Sequence, residues 1–236
     1  MPHDAESRRE QSGADARPRP EDHHGPDPAS TPPERRSGTG FGASWQRTGG
    51  GLLVVAAILQ LGATWLEHVV LGAGVSVPVF VVFVAVSSAS ALLLGAAGFA
   101  LARLGIVGTS ATGRFALRAA GLCWIGGRAA YLAYTYFLPP STANSWFVVL
   151  STVLLWLTIA FALVAAIDIA ARRIAWGPAR GSLLLALGVA VVVGLAVPAS
   201  GSALAVTLLE SVSALGQVFV GVTYVVAAGR DPWIGG

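Results

Sequence analysis

The chain has 236 residues, of which 54% are hydrophobic and only 11% charged, and its mean hydropathy is +0.68. That balance argues against a soluble protein. All 15 basic residues are arginine, which excludes a Walker A lysine, a Schiff-base lysine and a kinase-type lysine. The lone cysteine, Cys123, excludes an internal disulfide and a cysteine-rich metal site.

Residues 1–44 carry six arginines against eight acids, with Pro, Gly and the histidines His3, His23 and His24. With almost no aliphatic residues, this stretch cannot offset the entropy of ordering, and it reads as a disordered cytoplasmic tail. Arg8-Arg9 has no apolar region directly behind it, so it is not a targeting signal. Gly38-Thr39-Gly40-Phe41-Gly42-Ala43 spells a dinucleotide fingerprint, but it follows Pro32-Pro33-Glu34-Arg35-Arg36 instead of a strand. It reads as a flexible linker.

Six apolar runs follow, at about 50–71, 77–102, 115–137, 146–170, 181–198 and 203–228. Each is near or above the ~20 residues that cross ~30 Å of hydrocarbon. The fold class expected is therefore all-α: a polytopic integral membrane bundle of six transmembrane helices over residues 45–229, with a short cytoplasmic C-terminus, 230–236. The connections give an independent check. Residues 72–76, 139–145 and 199–202 are uncharged, whereas Arg103 and Arg114, then Arg172, Arg173 and Arg180, then Arg230 fall in the others. By the positive-inside rule both termini are cytoplasmic, in the plasma membrane. The basic excess belongs to these loops and is a topology signal, so no nucleic-acid partner is expected. Aromatic residues mark the same boundaries: Trp65, Tyr131, Tyr134, Tyr136, Phe137 and Trp146 outside, Trp45, Trp176 and Trp233 inside. Small residues at Gly95 and Gly98, Gly126 and Gly127, and Ala186, Ala190 and Gly194 predict close helix approaches.

Ionisable groups within the spans are expensive and therefore informative, at roughly 2.5–3.5 kcal/mol each on insertion scales. Arg128 lies about 16 Å and Glu210 about 12 Å below the outer surface by helical rise. Matching depths predict an Arg128–Glu210 ion pair. Polar stripes accompany them: Gln217 and Ser213 with Glu210, Gln60 and Thr64 with Glu67, and Trp124, Tyr131 and Thr135 with Arg128. These stripes define a candidate polar pocket of Arg128, Glu210, Gln217, Gln60 and Glu67 in the outer half of the bundle, set against a purely structural role in packing. Glu67-His68 reads as an interfacial pair whose side chains reach the outer headgroups. Asp168 and Arg172 form an i,i+4 pair at a helix end.

A Ser–His dyad is not supported, since His68 at the edge of the first run is the sole histidine in the apolar runs, and neither a His-Glu-x-x-His site nor an Asp-rich magnesium motif is present; no cofactor or metal is expected. The favoured reading is a binding or accessory membrane component. Its partners would be the bilayer and a membrane or cytoplasmic protein recruited through residues 1–44. The alternative is a small-solute or ion transporter or channel using the pocket around Arg128 and Glu210. A membrane-embedded lipid-modifying enzyme acting through Glu67, His68, Arg128 and Glu210 is the third reading.

Overall fold

Apolar chain in lipid must close its own backbone hydrogen bonds, and a helix does so within one segment. The computed structural model describes residues 39–72, 76–103, 106–139, 144–172 and 177–228, and it is all-α, with no strand among the described residues. Its helices are α1 (Thr39–Gly72), α2 (Val77–Leu101), α3 (Ala111–Leu132), α4 (Trp146–Arg172), α5 (Ala179–Ala196) and α6 (Ala203–Ala227). A π-helical turn, Ala133–Phe137, extends α3, and a 3₁₀ turn, Val197–Ala199, closes α5. All but α3 are long and apolar enough to cross a membrane. α3 has the length, since its 22 residues reach about 33 Å. What lowers its hydropathy is Arg114, Arg118 and Arg128.

Local signals set the helix starts. The Ser110 hydroxyl accepts from Gly113 N at 3.2 Å and begins α3, and Ser202 accepts from Ala205 N at 3.2 Å and begins α6. Pro78, in the first turn of α2, costs no intrahelical bond there. The largest departure from expectation lies at the start of α1, which begins at Thr39, inside the stretch read as tail and linker. Those early turns reach across to another helix: Gln46 Nε2 donates to Tyr224 O at 3.2 Å and Arg47 Nη2 donates to Ala228 O at 3.4 Å. The second bond satisfies the Ala228 carbonyl just past the end of α6, and the first adds a donor to the Tyr224 carbonyl, which also accepts from Ala228 N at 3.1 Å. The rest of the tail, residues 1–38, lies outside the described residues, as do Arg173, Trp176, Arg230 and Trp233.

Each helix packs on its chain neighbours, and α6 closes on α1, so the six form a ring in sequence order. Two crossings depend on glycine. A Cβ on Gly50 would lie 2.7 Å from Gly221 O, and one on Gly221 would lie 2.7 Å from Gly50 O, so α1 and α6 touch backbone to backbone. Gly95 and Gly98 bring α2 against Gly121 and Leu117 of α3 in the same way. Gly127 packs on Leu154 and Ser151 of α4, and Ala186 meets Gly216 of α6, whereas a Cβ on Gly194 would meet nothing within 4 Å. Ser90 Oγ ties α2 to Ala56 O of α1 at 3.0 Å.

The exterior is the apolar surface. The most apolar 18-residue window of α4 is 0% buried, with Val149, Trp156, Leu163 and Ile167 all facing outward. In water such a patch would drive aggregation, but in lipid it is simply solvated. The interior is divided along its length. At the arginine-bearing end, Leu101, Ile106, Val107, Leu117, Ile169 and Tyr224 form an apolar plug. Toward the uncharged turns the interior becomes polar.

Candidate functional site

The polar half is organised around Glu67, a turn and a half before the end of α1 and only 7% exposed. Its Oε1 accepts from the Tyr131 hydroxyl at 2.5 Å and the Tyr136 hydroxyl at 2.8 Å. Its Oε2 accepts from Arg128 Nη2 at 3.3 Å, closing an ion pair. Arg128 Nε donates in turn to Ser87 Oγ on α2 at 2.9 Å, and the guanidinium lies 4.9 Å from the centre of the Tyr131 ring. Phe83 and Phe80 pack on Tyr136 with ring centres 5.2 and 5.7 Å away. A buried carboxylate costs several kcal/mol unless its oxygens are matched by donors and an opposite charge. Glu67 has three donors, one of them the Arg128 cation, so both of its oxygens are matched.

Tyr136 reaches this site because of the π-helical turn. On an α-helix, residues five apart point about 140° away from each other. Leu138 N donates to Ala133 O at 2.9 Å, an i to i+5 bond, and a turn of that kind is wider than an α-turn and brings residues five apart closer to one face. Tyr131 and Tyr136 therefore converge on one oxygen. The same turn leaves Thr135, the expected fourth member of the α3 stripe, exposed.

The expected Arg128–Glu210 pair is not formed. Arg128 pairs with Glu67, and Glu210 accepts instead from Thr64 Oγ1 of α1 at 3.4 Å. Ring order is the reason. From α3 the guanidinium passes α2 at Ser87 and meets α1, while α6 lies beyond α1, so depth was matched but azimuth was not. The interfacial reading of Glu67 is corrected as well, because the side chain turns into the bundle. His68, next along the chain, stacks edge-on to Trp65 at 6.4 Å, and its Nδ1 is buried without a partner. Trp65 and Trp146 are exposed. Asp168 and Arg172 form their pair at 2.7 Å.

Gln60 and Gln217, the other expected pocket residues, lie about two turns from Glu67 and Glu210 toward the apolar plug. Oε1 of each is buried and unpartnered, and so is Nε1 of Trp124, one turn from Arg128. Of the five expected residues the structure thus joins Arg128 to Glu67 directly. Glu210 comes beside them through Thr64, and the two glutamines remain without partners. Ser87 and Tyr136 were missed. The sequence signal for Tyr136 was its aromatic cluster just before Pro139, but only a π-turn brings it inward. Among the described residues no group of three or more His, Cys, Asp or Glu side chains is placed to hold a metal ion.

Fold and site together define a polytopic helical membrane protein with a buried acid–base cluster. No family model, curated protein or solved structure matches the chain.

Proposed function

We propose that the bundle is a multi-pass plasma-membrane protein with both termini cytoplasmic, which binds a proton or small monovalent cation between Glu210 and Glu67 as a carrier or channel. The observation that carries this reading is the charge count of the interior: two carboxylates face a single guanidinium, and that guanidinium is committed to Glu67. Among the described residues Glu210 has one long hydrogen bond, from Thr64, and no ion-pair partner. A carboxylate so placed is stable only with a proton or a positive ion beside it. The unpartnered Gln60, Gln217 and Trp124 atoms supply further polar contacts along the interior. Amide groups can present either donor or acceptor, which suits a hydrated or protonated guest. The apolar plug supports access from the end with uncharged turns. The accessory-protein reading rested on the tail and on the lack of catalytic motifs, and the interior favours ion binding over it.

The test is thermal unfolding of the detergent-purified full chain across sodium, potassium and ammonium series and across pH. The expected result is stabilisation by one cation or by acid, abolished in Glu210→Gln and retained in Glu210→Asp. Stabilisation unchanged by Glu210→Gln, or none under any condition, overturns the reading. Ion flux in proteoliposomes then separates carrier from channel.

A further inference from the structure

The ends of α1, α2 and α3 that bear the arginines enclose an open groove of about 640 Å³, well away from the Glu67 cluster. Its floor is apolar, formed by Leu52 of α1 and by Ala96 and Phe99 of α2. Its rim carries Trp45, Arg103 and Arg118. Arg103 lies 5.0 Å from the centre of the Trp45 ring, which holds the guanidinium over the groove mouth. Both arginines are exposed, and neither has a carboxylate partner among the described residues.

We infer that this groove is a binding site for one anionic phospholipid. The phosphate would sit between Arg103 and Arg118, and an acyl chain would run down over Phe99, Ala96 and Leu52. Charge complementarity selects the headgroup, since two guanidinium groups with no carboxylate partner among the described residues match a net anionic headgroup better than a zwitterionic one, whose ammonium offsets the phosphate charge. The apolar floor selects a lipid over a free phosphate, which would leave that surface uncovered. Trp45 has the amphipathic ring that favours the headgroup level. Arg118 lies two turns into α3, next to Leu117, whose carbonyl faces Gly98 of α2, so it stands level with Phe99, while Arg103 stands past the end of α2. The site does not depend on ion binding at Glu210.

The test is titration of the purified full chain with phosphatidylglycerol, phosphatidylcholine or inorganic phosphate, read as a shift in unfolding temperature. The expected result is saturable stabilisation by phosphatidylglycerol alone. The paired substitution Arg103→Gln, Arg118→Gln should weaken its apparent affinity roughly 25-fold, from the strength of two arginines beside an anionic surface. Ala96→Trp, which fills the floor and keeps both cations, should also weaken it, while Glu210→Gln should not. Equal stabilisation by phosphatidylcholine or by inorganic phosphate overturns the proposal, and so does undiminished affinity in both groove variants. A full chain that responds to phosphatidylglycerol only after residues 1–38 are removed would assign the groove to the acidic tail instead.

Discussion

Replacing Glu67 by alanine removes the acceptor of three donors at once and leaves the Arg128 guanidinium without its carboxylate. Breaking a buried ion pair from one side costs about 3–5 kcal/mol. The Arg128 side chain is 26% exposed and can turn toward water, so the lower bound of about 3 kcal/mol applies. Each tyrosine hydroxyl adds about 0.6 kcal/mol, the average for interhelical hydrogen bonds in membranes. The expected loss is thus about 4 kcal/mol. Glu210→Ala forfeits one 3.4 Å bond and should cost about 0.6 kcal/mol at most. Reversible unfolding in mixed micelles, followed by tryptophan fluorescence, measures both. Double-mutant cycles then locate the partner of Arg128. Coupling with Glu67 should be about 2 kcal/mol, and coupling with Glu210 below about 0.5 kcal/mol. A Glu67→Ala cost under about 1 kcal/mol, or stronger coupling of Arg128 to Glu210, would refute the assignment.

Tyr131→Phe and Tyr136→Phe each remove one donor from Glu67 Oε1 and should lower stability by about 0.6 kcal/mol each in the same unfolding assay. Gly221→Leu should prevent assembly, because even a Cβ there meets Gly50 O at 2.7 Å, whereas Gly194→Ala, with open space around it, should leave the size-exclusion profile and unfolding temperature unchanged. A Ser145→Cys label site in a Cys123→Ala background should react with an impermeant maleimide in intact cells. Arg114→Cys in the same background should react only after permeabilisation, and the reverse pattern would invert the proposed orientation.

The element pattern was written plainly in the chain because lipid removes most alternatives. Runs of about 20 apolar residues with no interior proline have one stable backbone arrangement in hydrocarbon, so helix positions follow from hydropathy almost alone. The start of α1 was the exception. Thr39 to Thr48 is poor helix-forming sequence, rich in glycine, and its helicity depends on Gln46 and Arg47 reaching the end of α6. That contact joins residues 178 and 181 positions apart, and no local propensity encodes it. Gly50 and Gly221 were unmarked for the same reason: their importance lies in facing each other.

The site was half legible, and the illegible half is rotational. Cost of insertion singled out Glu67, Arg128 and Glu210, and helical rise put Arg128 and Glu210 at matching depths but left Glu67 nearer the outer face, where it read as interfacial. Rise says nothing about which way a side chain faces around its helix, nor about ring order. Once α1 stands between α3 and α6, Arg128 meets Glu67 first, with Ser87 of α2 on its path. The π-helical turn compounds this by shifting the phase of α3 at its end, so that Tyr136 replaces Thr135 in the polar face. These two effects act together. By drawing Arg128 and both tyrosines onto Glu67, they leave Glu210 without an ion-pair partner among the described residues, and the proposal of a guest there rests on that unequal sharing.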